Sequence, residues 1–320
     1  MDTKNVMYLP SGRIFLLDCG GYTIESTEMR DVSVDGKLHE AVREATDPHI
    51  IWKHLVPYKD KWLLTVSTQK GCTHNCKFCD VADLPFKGNL TQYEIEYQIW
   101  NLLRSTPYVT ECAKAKIGFA RMGEPSWNLH NVLGAMCNLG RIANEASVKS
   151  FRWLPCFNTI LPRKADCIYD VLDIKEGVFN GFLHFQISCN STDEEKRREL
   201  FGGADVLTLE EIITKINKRK ITNRTVTLNF IVMKDVEVDV QKLKKLGLNG
   251  NKFAVKLIPL NRTIKAEENN LETYANYSNY DDLLRLKDSF EKEGVPVVVD
   301  AIARCEEAGL CCGQLAQIFQ

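Results

Sequence analysis

The sequence predicts an α/β protein: a partial barrel of six successive strand–helix units, (β/α)6, with a small β appendage ahead of it. Three observations carry this. Short β-branched and aromatic runs occur at 62–67, 115–120, 151–157, 181–187, 225–233 and 253–258. Each is followed by a helical pattern, near 91–104, 128–142, 163–173, 208–219, 237–246 and 280–293. Strict alternation of this kind implies a parallel sheet with right-handed crossovers, and six units fall short of a closed eight-stranded ring. At 320 residues and 44% apolar content, the chain has ample material for one large core.

Taken in order, two strand-like pieces between Arg13 and Ser26 flank Asp18-Cys19-Gly20-Gly21, whose glycines accept the positive φ of a tight hairpin. Residues 31–61 are mixed and polar, with prolines at 48 and 57, and read as a connector. The expected organisation is therefore an appendage and connector over 1–60, the barrel over 61–294, and a C-terminal strand and tail over 295–320, opened by Val295 to Val299. There is no internal repeat and no low-complexity tract.

A net charge of -1 and a pI near 6.6 exclude a global basic field, so any nucleic-acid contact must be local. Apolar runs such as Ile14 to Leu17 are too short to cross a bilayer, and no basic start leads into an apolar export segment. Twelve cysteines without such a segment suit a reducing compartment, where thiols serve metals or catalysis. The expected location is the cytoplasm, with no membrane partner.

The sharpest local signal is Cys72-x-x-x-Cys76-x-x-Cys79, just past Trp62-Leu63-Leu64-Thr65-Val66. With 12 Cys in 320 residues, chance placement yields this pattern about 0.02 times, so the spacing is not accidental. Three thiolates at this spacing suit an iron-sulfur cluster with one iron left open to a ligand. The alternative is a structural zinc ion, which needs four closed ligands and finds only His74 nearby. Strand ends gather further polar groups: Met122-Gly123-Glu124-Pro125, Asn158-Thr159, Ser188-Cys189-Asn190, Lys234-Asp235 and Pro259-Leu260-Asn261. In TIM-like barrels the loops after the strands' C-terminal ends form the active site, so these stations are expected to share one mouth. Gly123 suits a close backbone approach, and Glu124 suits an ammonium group. Asn158 and Ser188 suit ribose hydroxyls or a carboxylate, or else serve as strand-end caps.

The cysteine run after a first barrel strand, with Gly-Glu-Pro after the second, resembles the radical S-adenosylmethionine (SAM) superfamily. Over Arg13 to Ala316 the chain further resembles the RlmN/Cfr family of RNA adenine methyltransferases. The matching residues are Gly71-Cys72 to Cys79, Asn89-Leu90-Thr91, Met122-Gly123-Glu124-Pro125, Ser188 with Arg197 and Glu199, Val226-Thr227, Leu257-Ile258-Pro259 with Asn261, and Arg304 with Cys312-Gly313-Gln314-Leu315. The resemblance implies a [4Fe-4S] cluster on Cys72, Cys76 and Cys79, with the methionine part of SAM chelating the fourth iron. Phe78 would wall the adenine side, and Gly123, Glu124, Asn158, Ser188 and Asn261 would line the cofactor. It also implies a flavodoxin- or ferredoxin-type electron donor. Cys312 would be the catalytic residue, taking a methyl group from one SAM. A radical made from a second SAM would then activate that methyl for addition to an electron-poor adenine carbon. Without the methyl-carrier role, Cys312 reads as a buried or redox thiol beside Cys311.

The chain departs from the family pattern at Thr65, where the second cysteine, the one that resolves the protein–substrate thioether, is expected. A hydroxyl forms no disulfide and is no thiolate-like base. Cys311 is too close to Cys312 along the chain for an unstrained bridge, which leaves Cys189 and Cys156 as candidate resolving thiols. The family's helical accessory domain and basic tail have no counterpart in the sequence. The basic clusters Lys196-Arg197-Arg198 and Lys215 to Arg224 read first as solvated helix faces and second as RNA contacts. A nucleoside or nucleotide therefore stands beside RNA as expected substrate. Two further readings are a different radical reaction on a small molecule and a non-catalytic iron-sulfur or zinc protein.

Overall fold

The computed structural model describes residues 1–31, 55–147, 150–273, 281–299 and 311–320. Most of the expected connector, with Pro48, and Arg304 lie outside the described residues. Strands β1 (Asp2–Leu9), β2 (Gly12–Asp18) and β3 (Thr23–Arg30) form an antiparallel meander. The strands that follow are β4 (Trp62–Val66), the short β5 (Gln69–Lys70) and β6 (Gly88–Asn89), β7 (Glu111–Phe119), β8 (Ser150–Thr159), β9 (His184–Ser188), β10 (Val226–Val232), β11 (Phe253–Pro259) and β12 (Val297–Val299). The large sheet runs β1-β2-β3-β4-β7-β8-β9-β10-β11-β12, and every pairing from β4 onward is parallel. The α/β class with a parallel sheet is as expected. β1 went unread because its sequence, Asp2-Thr3-Lys4-Asn5, is polar and mostly exposed at a sheet edge.

Helices α1 (Gln92–Arg104), α2 (Leu129–Cys137), α3 (Leu139–Glu145), α4 (Ile168–Gly177), α5 (Glu194–Leu200), α6 (Leu209–Asn217), α7 (Val240–Lys245), α8 (Ile264–Glu268), α9 (Asp281–Lys292) and α10 (Gln314–Ile318) cover the sheet or close its ends. Side-chain caps set where several begin. Thr91 with Glu94, and Thr208 with Glu211, make reciprocal capping boxes, while Asp193, Asp239 and Thr263 each accept a backbone N–H. The short helices α5 and α8 escaped the periodicity because seven and five residues are too few to show it.

Period-two alternation divides each barrel strand between the helix layer and the interior. Trp62, Leu64 and Val66 are fully buried with Ile95, Ile99, Ile117 and Phe119 in the main core. Leu63 and Thr65 face inward. Register then builds lateral rows across the inner face: Thr27–Thr65–Gly118–Cys156–His184, and above it Asn158–Gln186–Thr227–Ala254. A third row holds Ser188, Asn229 and Lys256. The inner wall is thus polar, unlike the apolar packing of a closed barrel of this kind.

His184 shares a hydrogen bond of 2.9 Å with Thr227 Oγ1 through Nε2. Burial, followed by the charges of Lys116, Arg224, Lys256 and Lys114, lowers its pKa to about 2. The folded chain therefore refuses a proton that the unfolded chain accepts below about pH 6.5. The stability this neutral imidazole contributes is complete above that pH and declines as pH falls toward 2. Replacing His184→Gln is expected to flatten the fall in unfolding free energy between pH 6 and 4, by at most about 1.4 kcal/mol per pH unit. Denaturant titrations at several pH values read this directly, and an unchanged slope contradicts a neutral His184.

Candidate active site

The loop after β4 is clamped at both ends before it presents its cysteines. β5 pairs antiparallel with β6, closing the segment 71–87 into a ring. Gly71 sits at φ +78, and a Cβ there would meet the Pro85 carbonyl oxygen at 2.6 Å. Within the ring, Lys77 N donates to Leu200 O (2.9 Å) and Cys79 N to Cys76 O (3.2 Å). The Phe78 carbonyl accepts from Thr263 Oγ1 (3.1 Å).

Cys72, Cys76 and Cys79 form no disulfide. Burial pushes the Cys72 thiol up to about 11, and the Glu124 charge adds to it. Burial followed by the charges of Cys79 and Cys72 drives Cys76 well above the usual range. Cys79 is driven upward by burial, then by Cys312 and Cys72. The four half-buried cysteines thus act on one another, and three bare thiolates there would repel each other. Metal ions supply the positive charge that lets such thiols ionise. Among the described residues no three Cys, His, Asp or Glu side chains converge on a single ion position. A cluster does not ask for that, since it spreads its thiolates over separate irons. His74 Nε2 accepts a hydrogen bond from Trp127 Nε1 (2.9 Å), which leaves only its Nδ1 for a metal. The donor set fits an iron-sulfur cluster better than zinc.

Glu124 is buried, with Oε1 accepting from Ser126 N (3.1 Å) and Oγ (2.7 Å) and Oε2 from Ile160 N (3.0 Å). Burial raises its pKa despite these bonds. A carboxylate held this firmly and this dry suits a cationic partner. Gly123, at φ +96, is required by the chain itself: a Cβ would meet Gln69 Cβ at 2.5 Å, and Gln69 Oε1 accepts from Glu124 N (2.9 Å). Its close approach is therefore to Gln69. Phe78 packs edge-on against Phe201 at 6.2 Å, beside the loop. Asn158 Oδ1 accepts from Gln186 Nε2 on the inner wall. Ser188 lies beside Asn229, whose buried Oδ1 has no partner among the described residues; the same is true of Asn261 Oδ1 and Asn190 Nδ2. Orphaned buried amides at the strand ends mark a mouth shaped for a polar ligand.

The C-terminal motif closes the site residue by residue. Cys312 Sγ accepts from Arg121 Nη1 (3.5 Å), while Arg121 Nη2 donates to Cys311 O (3.4 Å) and Nε to Glu25 Oε2 (2.7 Å). Glu25 also accepts from the Gly313 (3.1 Å) and Ala316 (2.8 Å) amides. Gly313, at φ +88, packs so tightly that a Cβ would lie 2.7 Å from Val81 Cγ2. Gln314 donates through Nε2 to Asp80, next to Cys79, and accepts through Oε1 from Cys311 N (2.8 Å). Leu315 is buried against Ile14 and Leu16. Sequence reasoning missed Glu25, Asp80 and Arg121. A carboxylate in the middle of a strand and an arginine two residues before Gly123 were the available signals.

Thr65 hydrogen-bonds Thr27 across the sheet and lies one strand from Gly118 and two from Cys156. Of the two candidate resolving thiols, Cys156 is on this inward row, whereas Cys189 belongs to the helix-side core, its thiol pushed up to about 12 by burial. Arg197 is buried under Phe201, and Lys215 and Arg219 pair with Asp166 and Asp173. These members of the basic clusters are structural.

A parallel α/β sheet whose first parallel strand leads into a three-thiol loop is the arrangement expected of the radical SAM class. No protein-family model matches the chain. It is 28% identical over 253 residues to the dual-specificity RNA methyltransferase RlmN of Helicobacter hepaticus, covering 76% of this chain and 65% of that protein. It is 30% identical to the RlmN of Desulfosudis oleivorans (72% and 59% covered) and 27% to the probable RlmN of Clostridioides difficile (86% and 74%). The chain thus spans roughly three-fifths of the first two relatives' length. The crystal structure of a radical SAM methyltransferase from Sphaerobacter thermophilus superposes with a TM-score of 0.66 over 98% of this chain and 80% of that one, at 19% identity, a likeness of fold. The chain is thus similar in sequence to RlmN methyltransferases and in fold to a radical SAM methyltransferase.

Removing Arg121 strands the Glu25 carboxylate in the interior. Arg121→Met is expected to cost about 3–5 kcal/mol, and the double variant Glu25→Gln/Arg121→Met distinctly less, since a broken buried pair costs more than an absent one. A double-mutant cycle by denaturant unfolding tests this; additive losses contradict the coupling.

Proposed function

We propose that the chain is a radical SAM methyltransferase that places a methyl-derived carbon on an electron-poor, adenine-type ring carbon of RNA or a nucleotide. The observation that carries this is Cys312, held by Arg121 within electrostatic reach of Cys79. Cys72, Cys76 and Cys79 would hold the [4Fe-4S] cluster, which with SAM supplies a 5'-deoxyadenosyl radical on receipt of one electron from a flavodoxin- or ferredoxin-type donor. Glu124 would receive the SAM ammonium, with the orphaned Asn261 and its neighbours at the mouth holding the rest of the cofactor. The guanidinium of Arg121 favours the thiolate form of Cys312, the nucleophile that displaces the methyl group from SAM. Gly313 and Gln314 fix that sulfur against the loop that would bear the cluster ligands. An electrophilic ring carbon cannot accept SAM's electrophilic methyl, so a carbon radical on the S-methyl group reverses the polarity.

After anaerobic incubation with SAM, mass spectrometry of the C-terminal peptide is expected to find a methyl group on Cys312. Arg121→Met should slow that loading about ten- to a hundredfold, the worth of a lost charge-assisted contact. An unmethylated Cys312 in the wild-type protein contradicts the proposal.

The Thr65–Thr27 hydrogen bond, in place of a second thiol, favours one alternative: a radical reaction that consumes SAM once per turnover without Cys312 as carrier. Methyl-deuterated SAM separates the two readings, since only the first moves deuterium into 5'-deoxyadenosine.

A further inference from the structure

Toward the strands' N-terminal ends, at the floor of the sheet's inner face, cations gather, and among the described residues they outnumber the acids that act on them. Lys114 and Lys116 are on inward positions of β7, between the outward, buried Ala115 and Ile117. Arg224 precedes β10, and its buried Nε has no hydrogen-bond partner among the described residues. The charges of these three, with that of Lys256, fall on the same two inward groups, His184 and Cys156. The buried His184 Nδ1 likewise has no partner among the described residues. Among the described residues the acid that acts on Lys114 is Asp31, and Asp31 already pairs with Lys61. Folding three like charges around one space is unfavourable unless something of opposite charge enters it.

Above this floor the inner wall is neutral polar apart from Lys256. Asn158, Gln186 and Thr227 form one row, and Ser188, Asn229 and Lys256 form the next, nearer the mouth. From His184 to Ser188 is four residues, about 13 Å of strand at 3.3 Å each. That spans a mononucleotide from phosphate to base. Three cations favour a dianion, and a phosphate monoester carries two charges where an internal RNA phosphodiester carries one.

We propose that the barrel floor formed by Lys114, Lys116, Arg224 and His184 is a phosphate site, and that the substrate is a phosphorylated small molecule of nucleoside monophosphate size lying in the barrel. The substrate class rests on the preceding assignment of radical chemistry to the mouth; the phosphate site does not.

Equilibrium binding to the reconstituted full chain tests it with adenosine monophosphate, adenosine, inorganic phosphate and a short RNA lacking terminal phosphates. Adenosine monophosphate is expected to bind at least about tenfold more tightly than adenosine, a preference that Lys116→Met and Arg224→Met each abolish. Inorganic phosphate should raise the melting temperature of the wild type. In phosphate-free buffer Lys116→Met should melt no lower than wild type, because it relieves repulsion; a lower melting point would make the lysine structural and overturn the site. Equal binding of the nucleotide and nucleoside overturns it too, and RNA binding that depends on the same residues overturns the small-molecule assignment. Release of 5'-deoxyadenosine by the wild type is read separately. SAM cleavage without phosphate binding sinks the floor site alone, and phosphate binding without SAM cleavage sinks the radical chemistry alone.

Discussion

The fully buried Glu25 carboxylate joins the beginning of the chain to its end. It binds Arg121 from the loop after β7 and two amide groups of the C-terminal turn, so the meander, the barrel and Cys312 meet at one charge. A buried carboxylate is tolerated only when its acceptor sites are filled by a cation and donors, and here both oxygens are. The placement of Cys312 follows from that requirement: with Glu25 satisfied by Gly313 and Ala316, the preceding residue is brought beside Arg121 and the three-thiol loop.

The same logic explains the run Cys-Gly-Gln-Leu as a physical unit. The glycine supplies a left-handed turn in a space without room for a Cβ, the glutamine ties the turn to Asp80 beside Cys79, and the leucine seals it on Ile14 and Leu16. Asp80 in turn accepts from the Lys265 amide at the start of α8 (2.8 Å), so the three-thiol loop, α8 and the C-terminal helix are braced together.

The barrel strands and the three-cysteine loop were legible in the sequence because both signals are local. β-branched runs such as Val226–Val232 and the fixed spacing of Cys72, Cys76 and Cys79 need no tertiary knowledge. Contacts over long separations were not legible. Glu25 and Gly313 are 288 residues apart, and Arg121 meets Cys312 across 191. Gly123 shows the intermediate case: the sequence announced a close approach, while the structure reveals that Gln69 makes it. The cationic floor was also hidden, because Lys114, Arg224 and His184 are far apart in sequence and act on one another only once the sheet is assembled.

The measurement that bears most directly on this account is the metal content of the protein prepared without oxygen, with its electron paramagnetic resonance spectrum after reduction. Iron and sulfide in [4Fe-4S] proportion, a spectrum that shifts when SAM is added, and loss of both in Cys76→Ala are the predicted results. Stoichiometric zinc with no iron or sulfide, and no response to SAM, would contradict it.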